Sequence, residues 1–185
     1  MIVTLHASRA APHNWVAGAD TFDAVWADVA QATRVLTWVE RSNMRELLAL
    51  AEQLPTGAEW CLQLRRDGTR SPRLAMAAPR ILRAATVAQK RGLRVAVRSV
   101  PLCLLGPYTD LALPAVPVEA GGPCAECPAR LQCAAPDPAY LTRFGPSEVR
   151  ARGPVELDVA QLERFAWVFE DMNPAPDSAI LGRDG

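Results

Sequence analysis

Four of the five cysteines of this chain lie in one stretch, with the spacing C-x20-C-x2-C-x5-C. They are Cys103, Cys124, Cys127 and Cys133. Thiolates are soft ligands, and a set of four suits either Zn²⁺ or an iron–sulfur cluster. The C-x2-C pair allows two sulfurs from one tight turn to bind the same metal centre. The spacing therefore predicts a four-thiolate metal or cluster site.

Two disulfide bonds, or cysteines scattered by chance, are the simpler interpretations of the same residues. The first residues lack the charged start and long apolar core of a signal peptide, so we expect a cytoplasmic protein. Thiols in a reducing cytosol are more often ligands than disulfides. Pro and Gly are frequent between Cys103 and Cys124, which predicts a loop that bends back toward the later cysteines. The remaining cysteine, Cys61, is expected to be a small buried hydrophobic residue.

Composition limits the class of protein. Half of the 185 residues are hydrophobic, enough for the core of one domain. Twenty basic residues balance 20 acidic ones, which gives no electrostatic reason to expect binding to nucleic acid or to an anionic membrane. The chain has no apolar run near the ~18 residues that a transmembrane helix needs.

Four short apolar runs, at residues 2–7, 35–39, 60–64 and 93–97, predict strands. The run at 35–39 has no alternation, which is typical of a strand covered on both faces in a parallel sheet. Helical patterns separate the strands: one at 21–31, one capped by Ser42 or Asn43 and ending at Gly57, and one with Pro79 in its first turn. This alternation predicts an α/β fold with a parallel sheet. Four strands with outer helices correspond to half of a TIM-type barrel.

Three regions follow from this pattern. Residues 1–102 form the predicted partial barrel, 103–145 the cysteine-rich metal or cluster segment, and 146–185 a C-terminal helix and tail. A short helix is expected at 137–144, and one helix of about four turns after Pro154. Its apolar stripe predicts packing on the open face of the sheet, with Trp167 off that stripe. The stripe comprises Leu157, Leu162, Phe165, Ala166, Phe169 and Met172.

Polar residues at the predicted strand ends are the other candidates for a site. His6 and His13 lie near the end of the first strand, and Arg65 and Arg66 follow the third. In α/β barrels, strand ends face the active site, and arginines there can hold a carboxylate or a phosphate. Surface or hydrogen-bonded loop residues are the simpler interpretation of both pairs.

The region around the cysteines resembles the C-terminal portion of radical S-adenosylmethionine (radical SAM) proteins. The likeness covers roughly residues 1–145 and implies the second half of that family's barrel. It also implies that the four cysteines hold an auxiliary iron–sulfur cluster. Ala134 stands where the family usually has a glycine. The matching residues are Pro101, Cys103, Cys124, Cys127, Cys133, Tyr140 and Gly145.

One departure from the family bears on activity. The C-x3-C-x2-C triplet that binds the catalytic cluster of radical SAM enzymes does not occur in the sequence. The resemblance therefore implies a non-catalytic or helper protein that binds a 4Fe-4S cluster and acts with a protein partner or as a homo-oligomer. A first alternative is a four-cysteine zinc module for protein interaction. A second is an enzyme with an open iron site facing His6 and Arg65.

Overall fold

Four parallel strands form one sheet in the order β1-β2-β3-β4. The computed structural model describes residues 1–66, 68–114, 121–136 and 138–170. The predicted α/β class and parallel sheet are confirmed, although the first strand ends three residues earlier than expected. The strands are β1 (Ile2–Thr4), β2 (Arg34–Val39), β3 (Glu59–Leu64) and β4 (Arg94–Arg98).

Helices connect the strands and follow the last one. An additional helix lies between β1 and the helix predicted at 21–31. His13 is part of this additional helix and does not lie in a loop. Short 3-10 turns occupy Gly68–Arg70, Thr109–Leu111 and Gly122–Cys124. The helices are α1 (Ala10–Ala17), α2 (Phe22–Val29), α3 (Leu47–Gln53), α4 (Leu74–Lys90), α5 (Leu102–Leu105), α6 (Pro138–Phe144), α7 (Val159–Arg164) and α8 (Trp167–Glu170).

Both faces of the sheet are buried, as the unalternating apolar run of β2 predicts. Alternate strand residues contribute to two separate apolar clusters because successive side chains point to opposite faces. The larger cluster joins one face to α3 and α4, and it includes Val35, Trp60 and Leu62. The smaller cluster joins the other face to the C-terminal helices. Its buried members are Leu36, Cys61, Ala96, Leu113, Phe165, Trp167 and Val168.

The C-terminal helix is broken, which corrects the prediction of one helix of four turns. Helix α7 ends at Arg164 and α8 begins at Trp167. Phe165, Trp167 and Val168 are all buried, and no single face of a continuous helix presents all three positions. The Trp167 indole Nε1 donates to Glu59 Oε2 at 3.1 Å, which fixes its position against β3. Trp167 is therefore part of the core, while the predicted stripe residue Met172 lies outside the described residues.

Helix α4 begins earlier than its proline suggests. Pro79 was predicted in the first turn, but it lies inside a helix that starts at Leu74. Partners distant in sequence satisfy the first amides: Leu74 N–H donates to the Tyr140 hydroxyl at 2.7 Å, and Ala75 N–H donates to Glu148 Oε2 at 3.3 Å. Because these distant partners satisfy the first amides, the helix begins before Pro79, the residue that lacks an N–H.

The predicted N-cap of α3 at Ser42 or Asn43 is also wrong. Asn43 does not cap the helix, which begins at Leu47 after Glu46. The Asn43 amide instead donates to the carbonyls of His6 and Trp38, both at 2.7 Å. Its Oδ1 accepts from Glu40 N–H at 2.7 Å. Asn43 therefore ties the ends of β1 and β2 together, and the predicted C-cap at Gly57 is replaced by Leu54.

The segment after β4 is more ordered than the predicted loop. Cys103 lies in α5, and the chain then returns to the sheet, where Ala112 forms a parallel bridge with Val97. Leu113 N–H donates to the Val97 carbonyl at 2.9 Å. Residues 115–120 lie outside the described part of the chain. Within that part, each helix is too short or too polar to span a bilayer.

Candidate metal centre

The four clustered cysteines line one small cavity with a volume of about 10 Å³. Cys124, Cys127 and Cys133 are buried, and Cys103 is half-buried. These residues come from two places in the chain, since Cys103 follows β4 and the other three belong to the later turns. The structure thus brings together the four cysteines that the sequence proposes as ligands.

Local backbone geometry carries each sulfur to the cavity. Ser99 adopts φ +63, a left-handed conformation that is unusual for a residue other than glycine. It redirects the chain from β4 into α5, and so places Cys103 beside the sheet. The later cysteines sit on successive turns, in which Cys127 N–H donates to the Cys124 carbonyl at 3.2 Å. Cys133 N–H donates to the Arg130 carbonyl at 3.4 Å.

Two backbone amides point at sulfurs of the cavity. Leu102 N–H donates to Cys133 Sγ at 3.3 Å, and Arg152 N–H donates to Cys127 Sγ at 3.4 Å. An N–H donor stabilises a thiolate more than a neutral thiol, because it interacts with the full negative charge. Such bonds hold a sulfur in place and tune the metal that it binds.

The thiols of Cys124 and Cys133 are held in their neutral form by their surroundings. Burial raises the pKa of Cys133 to about 11, and repulsion from Cys103, Cys124 and Cys127 adds to it against the opposing N–H of Leu102. Burial also raises the pKa of Cys124, again with repulsion from neighbouring cysteines. The sulfurs are therefore close enough to repel one another as thiolates. A bound cation would remove that repulsion and displace the protons.

Arginines form part of the wall. Arg130, Arg150 and Arg152 line the cavity with the cysteines. The Arg152 guanidinium donates to the Leu102 carbonyl at 2.7 Å and the Gly106 carbonyl at 3.2 Å, which joins the segment after α6 to α5. Nothing in the sequence spacing links Arg152 to α5, so this contact was not predictable from the sequence.

The cysteines form no disulfide bonds, and the fifth cysteine lies apart from the other four. All five are free thiols, so the two-disulfide interpretation is wrong for this structure. Cys61 is fully buried in the smaller apolar cluster and does not line the cavity. Among the described residues, no three His, Cys, Asp or Glu side chains are grouped in a way that holds a single metal ion.

The two histidines lie near β1, at the opposite edge of the sheet from β4, and do not line the cysteine cavity. Both are buried and hydrogen-bonded: His6 N–H donates to His13 Nδ1 at 3.1 Å, and Trp38 N–H donates to His6 Nδ1 at 3.3 Å. His13 Nε2 lies 3.1 Å from the Thr21 hydroxyl. The histidines thus join β1, α1 and β2, and Arg65 is likewise not part of the cavity wall.

These histidines predict acid sensitivity. Burial, together with His13, Arg65 and Arg70, lowers the pKa of His6 from 6.5 to about 3, and burial lowers the pKa of His13. Below pH 6.5 the unfolded chain therefore binds more protons than the folded chain, and stability falls as the pH falls. We expect the free energy of unfolding to drop by up to about 1.4 kcal/mol per pH unit for His6 between about pH 6.5 and pH 5.

Urea unfolding across that pH range measures the effect. The same series on His6→Gln should have a shallower slope, because the substituted side chain does not titrate. A free energy of unfolding that stays constant from about pH 6.5 to pH 5 would contradict the burial of neutral histidines.

The arginines after β3 have defined partners. Arg65 Nε donates to Glu40 Oε1 at 2.9 Å, and its guanidinium lies 4.8 Å from the centre of the Trp38 ring. Arg66 donates to the Ala135 carbonyl, two residues beyond Cys133 in the chain. Asp67, which follows them in sequence, lies outside the described residues.

Comparison of the chain with protein-family models, with curated proteins and with solved structures gave no match.

Proposed function

We propose that this chain is a helper protein, related to radical SAM proteins, that holds an iron–sulfur cluster and acts with a protein partner. The observation that carries the proposal is the single cavity lined by Cys103, Cys124, Cys127 and Cys133. Each iron of a 4Fe-4S cluster takes a separate thiolate, so the ligands of such a cluster surround a cavity. When bound, the cluster would supply a structural anchor or a redox centre.

The residues of the cavity fit this group chemically. Four thiols form a complete soft donor set, and the N–H groups of Leu102 and Arg152 point at two of the sulfurs. The arginines of the wall place positive charge beside four thiolates. Hydrogen bonding and burial of this kind set the reduction potential of iron–sulfur centres.

The helper role is supported by what the sequence lacks and by where the cysteines stand. The C-x3-C-x2-C triplet is missing, so a catalytic cluster has no ligands. The cysteine-rich segment 103–145 directly follows four strands in sequential order, as expected for one half of a barrel at 1–102. The region 146–185 would then close the open face, and the packing of Phe165, Trp167 and Val168 on the sheet supports that role.

The partner is proposed to bind along β1. This strand is at the edge of the described sheet, and Ile2 exposes 39% of its surface there. An edge strand presents unpaired backbone groups to a neighbour. Light scattering at micromolar concentration measures the molar mass, which distinguishes a homo-oligomer from a monomer that binds a different protein.

Metal and sulfide analysis of anaerobically purified protein tests the cluster. We expect a brown protein that contains iron and acid-labile sulfide, with broad visible absorbance. Cys124→Ala and Cys127→Ala should lose most of both, since each removes one of four ligands. Cys61→Ala is the matched control and should keep the iron, because Cys61 lies outside the cavity.

A colourless protein with one zinc per chain would replace the cluster by a zinc module for protein interaction, the first alternative. Formation of 5′-deoxyadenosine from S-adenosylmethionine by the reduced chain alone would favour the second, an enzyme with an open iron site. Equal loss of iron in Cys61→Ala and Cys124→Ala would sink the assignment of the four ligands.

A further inference from the structure

A second cavity lies at the carboxyl ends of β2 and the neighbouring β3, separate from the cysteines. Its volume is about 310 Å³, and it shares no lining residue with the cysteine cavity. Small molecules bind preferentially at this edge of parallel sheets. The lining residues are Trp15, Glu40, Arg41, Ser42, Thr69 and Arg70.

Glu40 is the central polar group of this cavity. Only 1% of its surface is exposed, and its Oε1 accepts from Arg65 Nε at 2.9 Å and from an Arg70 guanidinium nitrogen at 3.4 Å. Its Oε2 has no hydrogen-bond partner in the described part of the chain. The Oε2 atom is itself enclosed, so the carboxylate acts on the cavity by holding the Arg70 guanidinium at its wall.

The charges around Glu40 indicate the kind of ligand. Arg65 and Arg70 flank the carboxylate and offset its negative charge. Arg41 is exposed on the cavity wall and Arg70 is partly exposed. The cavity is therefore positively charged, and arginine forks match the geometry of phosphate oxygens.

Trp15 provides a flat apolar surface on the same wall. It exposes 66% of its surface, although its neighbours on α1, His13 and Val16, are buried. Arg70 donates to the Trp15 carbonyl at 3.0 Å, which holds the tryptophan beside the guanidinium. Exposed indole rings stack with planar bases.

We propose that this cavity binds a nucleoside monophosphate. The phosphate lies at Arg41 and Arg70, and the base stacks on Trp15. The cavity volume falls in the range that holds such a ligand, roughly 300 to 1,000 Å³. This site is independent of the proposed cluster, and its test does not require one.

Isothermal titration of the full chain with adenosine monophosphate tests the proposal. We expect a dissociation constant below about 1 mM. Trp15→Ala and Arg41→Gln should each weaken binding about tenfold or more, through lost stacking and lost phosphate contact. Both side chains are exposed, so neither change should unfold the protein. Arg83→Gln replaces an exposed arginine of α4 outside this cavity and should leave binding unchanged.

Three outcomes would overturn the site. They are no binding at about 10 mM nucleotide, binding of inorganic phosphate as tight as that of the nucleotide, and unchanged affinity in Trp15→Ala. Circular dichroism of each variant checks that the fold is retained.

Discussion

Removal of the proposed metal or cluster is expected to open residues 121–136 while the sheet stays folded. This segment is held by single-turn hydrogen bonds and by the cavity that its cysteines line, and it contributes no strand. Much of its folding free energy should come from the metal, because the ligand set is not assembled in the unfolded chain and binding is therefore coupled to folding. We expect rapid tryptic cleavage after the exposed Arg130 once the metal is removed anaerobically.

Hydrogen exchange locates the change. Amides of the cysteine turns should exchange faster by several orders of magnitude, whereas amides of β2 and β3 should be nearly unaffected. Cys61→Ala with its metal bound is the control, and it should resist cleavage at Arg130 as the wild type does. Identical exchange with and without metal would contradict the idea that the metal organises this segment.

Phe165→Ala is expected to lower the free energy of unfolding by about 3–5 kcal/mol. Phe165 is fully buried in the smaller cluster with Leu36, Cys61 and Ala96, one residue from each of the three longer strands. Its removal leaves a cavity against the sheet, which cannot collapse around a missing ring. Urea unfolding measures the loss.

Phe169 offers a matched control in the same segment. It exposes 39% of its surface and lies under the Arg98 guanidinium, 4.6 Å from the ring centre. Phe169→Ala should therefore cost only about 1 kcal/mol. Equal losses for the two variants would mean that the C-terminal helices do not pack on the sheet as described.

Features set by local sequence were predictable. The strands follow from short apolar runs, because a residue buried on either face of a parallel sheet must be apolar. Val35 and Leu36 illustrate this, since they enter opposite clusters from adjacent positions. The grouping of the cysteines around one cavity was predictable in the same way, because the C-x2-C spacing describes one tight turn.

Features set by distant partners were not predictable. Tyr140 and Glu148 decide where α4 begins, and Glu59 holds Trp167 in the break between α7 and α8. Asn43 has the sequence context of a helix cap, but its side chain forms hydrogen bonds with three backbone groups near the strand ends. In each case a tertiary hydrogen bond outweighs a local preference.

The bridge between Val97 and Ala112 makes the two edges of the sheet unequal. One residue of an additional parallel strand shields β4, while β1 carries no such cover in the described sheet. A strand added by another chain would therefore have one open edge, that of β1. If a second copy added there, two-fold symmetry would pair β1 with β1 in antiparallel orientation and use up both open edges. Such an assembly stops at two chains and does not propagate into a fibre.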